Sequence, residues 1–75
     1  MKGFICCSGL ISDKTVFIKA SRIVLIERCE EWQQGDTVRG EYTRIEYAGG
    51  RRSVLVQEAP DEVFMLIEDA LRADD

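Results

Sequence analysis

With 75 residues, 45% of them hydrophobic and 32% charged, and a single proline, the chain has the composition of one small folded domain, 1–75, and not of a disordered tail. A chain this short buries only about 60–65% of its unfolded surface, so its own core supplies little more than about 3–5 kcal/mol. A net charge of −4 weighs against a nucleic-acid protein, the lack of histidine removes the usual general base near neutral pH, and no apolar run approaches the roughly 20 residues that cross a bilayer.

The N-terminal "FICC" is a short strand-compatible run, and "SGLISDK" has the serine, glycine and aspartate of a loop. Lys2 precedes an apolar patch too short and interrupted for a signal peptide, which makes a cytoplasmic location the expectation. "TVFIKA" follows as a second strand, rich in β-branched and aromatic residues, and "SR" breaks it. "IVLIERCEEW" carries the strongest strand signal; its first four residues are all apolar, which predicts cover on both faces there. Glu27, Arg28, Glu30 and Glu31 predict that this strand emerges into solvent beyond Ile26.

"QQGDTVRG" is polar and glycine-bearing, as a loop or wide hairpin turn would be. "EYTRIEY" alternates, with Thr43, Ile45 and Tyr47 on one face and Tyr42, Arg44 and Glu46 on the other. "AGG" then interrupts, and "RRSVLVQ" resumes as a strand, so the glycine pair marks a hairpin. A phosphate-cradling loop would need a helix N-terminus directly after its glycines, and here a strand follows.

After Gln57 the period changes. Val63, Ile67, Ala70 and Leu71, flanked by Phe64, form a helical stripe, and the helix is expected over 60–72. Pro60 suits its first turn, and Asp61 and Glu62 complement the helix dipole there. The fold class is therefore α+β: a small antiparallel, strongly curved β-sheet of four to five strands, followed by one C-terminal α-helix.

Cys6, Cys7 and Cys29 are odd in number, and the first two are adjacent, so on a strand they face opposite sides. With no histidine and no second cysteine pair at zinc-finger spacing, no metal ligand set emerges, and the cysteines are expected to act as small buried hydrophobes. No motif marks a catalytic or cofactor-binding residue.

Charge is unevenly spread. Residues 58–75 hold seven acids against Arg72 alone, whereas residues 38–52 hold four arginines, Arg39, Arg44, Arg51 and Arg52, against Glu41 and Glu46. The arginines and their aromatic neighbours Trp32, Tyr42 and Tyr47 make the hairpin region the expected contact surface, represented by Trp32, Arg39, Tyr42, Arg44, Arg51 and Arg52. Phe17 and Val24 face away from the other apolar side chains of their strands, and one helix cannot cover both faces of a five-stranded sheet. Either the sheet curls around its own core or a second copy of the chain covers the remainder.

"IVLIE" at 23–27 and "GGRRSVLVQEAPDEV" at 49–63 resemble the small FlbD/SwrD-type proteins associated with bacterial flagella and swarming. Their pattern is an "IE" strand end, a glycine turn before basic residues, a valine-rich strand and an acidic helix start. The resemblance covers the second half of the chain and implies a non-enzymatic accessory protein that acts through contacts; it offers no catalytic residue. The expectation is a small, self-associating protein-interaction module of bacterial or phage type, with no cofactor. The alternative is a nucleic-acid-binding regulator using the arginine-rich hairpin.

Overall fold

The computed structural model describes residues 2–11, 14–49 and 53–73, with the backbone path alone for residues 32, 34, 37–39 and 73. Strand β1 (Phe4–Ser8) pairs antiparallel with β2 (Thr15–Lys19), and a single 3-10 turn over Ala20–Arg22 leads into β3 (Ile23–Cys29). A short hairpin, β4 (Trp32–Gln34) with β5 (Thr37–Arg39), precedes β6 (Tyr42–Tyr47), β7 (Val54–Val56) and helix α1 (Pro60–Ala73). The class is α+β, every strand pairing is antiparallel, and α1 follows the last strand.

The five strands expected from the sequence are present as β1, β2, β3, β6 and β7, but they are divided. β1 and β2 form one pair, and β6 lies between β3 and β7 in another sheet. An isolated bridge between Gly9 and Val56 joins the two, helped by Leu10 N–H to the Leu55 carbonyl at 2.9 Å and Gln57 N–H to the Ser8 carbonyl at 2.9 Å.

"QQGDTVRG" is more ordered than a loop. It contains the β4–β5 turn, with Gly35 at φ 60° in the first central position, where a primed hairpin turn needs positive φ. The strand expected to run through Trp32 stops at Cys29, and Trp32 opens the new hairpin.

Alternation places the core. In β1, Ile5 and Cys7 are buried between the exposed Phe4 and Cys6; in β6, Thr43 and Ile45 are wholly buried. The helix adds Val63 and Ala70, with Leu66 and Ile67 packed against the cluster. Leu66 therefore joins the inner stripe expected from the sequence, whereas Leu71 is 42% exposed. Leu10 lies in the turn after β1, yet it is only 3% exposed.

Strand β3 departs most from expectation. Ile23 pairs with Tyr47 and Leu25 with Glu46, so Val24 is an extra residue inserted into the ladder. The bulge resets the alternation: Ile23 and Ile26 pack against the core, and Val24 and Leu25 are 65% and 38% exposed. The apolar opening of this strand is thus uncovered on its outer side, not covered on both faces.

The link from β7 to α1 is fixed by polar contacts. Buried Thr43 donates its hydroxyl to the Glu58 carbonyl at 2.6 Å, and Gln57 donates its side-chain amide to the Gly9 carbonyl at 2.9 Å. These bonds set the point where α1 leaves the sheet.

Candidate functional site

Side chains of the expected contact surface do not share one role. Trp32 and Arg39 are backbone register partners in the β4–β5 hairpin. Arg51 and Arg52 lie outside the described residues. Tyr42 begins β6 opposite Cys29; burial and a hydrogen bond with Cys29 raise its phenol pKa.

Arg44 is engaged within the sheet. Its guanidinium meets the Glu27 carboxylate at 3.0 Å and the Glu46 carboxylate at 2.6 Å, and it donates to the Ser53 hydroxyl at 2.7 Å. Glu27 is its register partner across the β3–β6 ladder, so this is a cross-strand ion pair of opposite charges. The Arg44 hydrogen bond and charge hold the Glu27 carboxyl below the usual carboxylate range. A guanidinium shared by two carboxylates is poorly placed to receive a phosphate.

Two surface grooves are better formed. The first, of about 410 Å³, runs between β3 and α1. Its apolar walls include Val24, Leu25, Phe64, Ile67 and Leu71, and among the described residues none that lines it is charged. Phe64 is 57% exposed, so together with Val24, Leu25 and Leu71 it forms an apolar surface left open by the bulge on one side and the helix on the other. β3 is also the outer strand of its sheet among the described residues.

The second groove, of about 490 Å³, lies between the outer strand β2 and the turn that follows β6. Phe17 and Lys19 come from alternate positions of β2, and Tyr47, Ala48 and Gly49 form the opposite wall. Arg22 is drawn to the rim because the Ala48 N–H donates to its carbonyl at 2.7 Å. Gly49, at φ 82°, takes a conformation suited to glycine, and a Cβ there would come within 2.8 Å of Arg22 Nη2. The guanidinium therefore lies close over the turn.

Sequence periodicity brought Phe17 to the surface, but it did not connect this strand with Tyr47 or Arg22. That association depends on the tertiary pairing of the 3-10 turn with the end of β6, for which no local signal exists.

The cysteines divide by position. Cys7 is buried, Cys29 half-buried and Cys6 exposed, so the expectation of small buried hydrophobes holds fully for Cys7 alone. Burial first, and then the charges of Glu58, Cys6 and Glu62, push the Cys7 thiol up to about 12. Among the described residues no group of three or more His, Cys, Asp or Glu side chains is placed to hold a metal ion. Nor is any described helix long and apolar enough to cross a membrane.

Comparison with known proteins returns no match to any family model, curated protein or solved structure.

Proposed function

We propose that this chain is a non-enzymatic, cytoplasmic protein-interaction module that self-associates through the groove between β3 and α1. The observation that carries this reading is the continuous uncharged surface of Val24, Leu25, Phe64 and Leu71, four large apolar side chains exposed around one groove. Contiguous apolar surface of this kind is the usual mark of a contact site. A second copy is the favoured occupant for two reasons. Among the described residues few large side chains are buried, and a domain this small gains from burying further apolar surface in an oligomer. Two identical uncharged faces also meet across a two-fold axis without placing a charge against an apolar wall.

The resemblance of the second half to the FlbD/SwrD-type proteins supports an accessory role exercised by contact. The nucleic-acid alternative loses support at Arg44, whose charge is already shared by Glu27 and Glu46. Sedimentation of the purified protein over a range of concentrations, with Leu25→Asp and Phe64→Asp as variants, tests the proposal. Self-association that both substitutions abolish supports it; a monomer at every concentration contradicts it.

A further inference from the structure

The groove beside β2 has a chemistry unlike the rest of the surface. None of its described lining residues is acidic, in a chain whose acids outnumber its bases fourteen to ten. Lys19 and Arg22 both line it, and among the described residues neither side chain enters an ion pair. This contrasts with Arg28, Arg44 and Arg72, each of which meets a carboxylate.

Two aromatic side chains stand in the same groove. Phe17 is 54% exposed, and Tyr47 is half-buried at the end of β6. The cations have fixed surroundings. Lys19 is in register with Phe4 in the β1–β2 ladder, and Arg22 is held at the rim by the Ala48 bond and packs over Gly49. Val16, Ile18 and Val54, which belong to or pack against the core, complete the lining.

From this combination we infer that the β2 groove binds a nucleoside phosphate, with the base against Phe17 and Tyr47 and the phosphate between Lys19 and Arg22. Aromatic rings give stacking that any base can use, and a guanidinium gives paired donors to a phosphate. The groove's volume falls within the range of small-ligand sites, about 300–1,000 Å³. The same chemistry serves a free mononucleotide or one residue of a single strand. This site is separate from the β3–α1 groove and does not depend on self-association there.

The test is a titration of the 15N-labelled protein with adenosine monophosphate, inorganic phosphate and a short oligothymidylate, at low and at moderate salt. The expected result is saturable shifts at Phe17, Lys19, Arg22 and Tyr47 with the nucleotide, weaker binding of phosphate alone, and loss of affinity as salt rises. Arg22→Gln should weaken nucleotide binding roughly tenfold or more, given the strength of charge-assisted hydrogen bonds, while the amide spectrum stays dispersed. Lys19→Gln, on an exposed side chain, gives an independent second variant. Tighter binding of the oligonucleotide than of the mononucleotide would identify a strand as the source, and the reverse would identify a free nucleotide. The inference is overturned if no saturable shifts appear at these four residues, if phosphate binds as well as the nucleotide, or if both variants retain full affinity.

Discussion

The Glu58 carboxylate accepts the backbone N–H of Ser8 through both oxygens, at 3.1 and 3.0 Å, across fifty positions of sequence. The same residue accepts the Thr43 hydroxyl on its carbonyl, so side chain and backbone of Glu58 hold different strands. One residue thereby ties the end of β1 and the beginning of β6 to the segment just before α1.

Loss of that tie has a definite consequence. Glu58→Ala should lower unfolding stability by about 1–3 kcal/mol, because a backbone donor loses its charged acceptor. Glu58→Gln, which keeps an acceptor oxygen, should lose less. Urea unfolding followed by circular dichroism compares the two, and no loss in either variant would show that the tie is unimportant.

Thr43 is the buried half of the same junction, with its side chain wholly removed from solvent. Thr43→Val keeps the shape of the side chain but removes the donor, leaving the Glu58 carbonyl without this partner. A loss of about 1 kcal/mol is expected from the same unfolding measurement.

Cys7 makes the stability depend on alkaline pH. Its folded pKa of about 12 lies above the ordinary 9.0, so the folded state holds the thiol proton more tightly than the unfolded chain does. The contribution is therefore fully present below pH 9.0 and is lost progressively as pH rises towards 12. Over that window the slope due to Cys7 should be at most about 1.4 kcal/mol per pH unit, and Cys7→Ala should remove it. In the native protein a thiol reagent should modify exposed Cys6 well before Cys7, as site-resolved mass spectrometry would record. Simultaneous modification would contradict the burial.

Gly49 predicts a local cost. Its φ of 82° is disfavoured for a residue with a Cβ, and that Cβ would also displace the Arg22 guanidinium. Gly49→Ala should destabilise the protein by about 1–2 kcal/mol, whereas Gly40→Ala, with open space around it, should cost much less. Thermal unfolding of the two variants makes the comparison.

Much of this architecture is legible in the chain. Alternation in "FICCS" and "EYTRIEY" places Ile5, Cys7, Thr43 and Ile45 inside, and the change of period after Gln57 locates α1 with Pro60 in its first position. The β3 bulge is not legible, because four consecutive apolar residues look the same whether the ladder continues or gains a residue at Val24. That one insertion decides whether the outer side of the strand is covered. Residue type alone points to the hairpin as contact surface, and charge pairing redistributes it: Arg44 is engaged across strands with Glu27, while Arg22, which has no local signal, reaches a groove through the turn after β6. Local periodicity specifies which way a side chain points; the partner it meets is set by tertiary pairing.

Self-association through the β3–α1 groove is decided by sedimentation equilibrium of the unmodified protein beside Leu25→Asp. Leu25 is 38% exposed, so the substitution should leave the fold intact while weakening self-association by at least about tenfold. The unmodified protein should approach twice its 8.5 kDa chain mass with rising concentration, and the variant should stay near the single-chain mass. A single-chain mass for both proteins throughout, or an unchanged dimer in the folded variant, would contradict it.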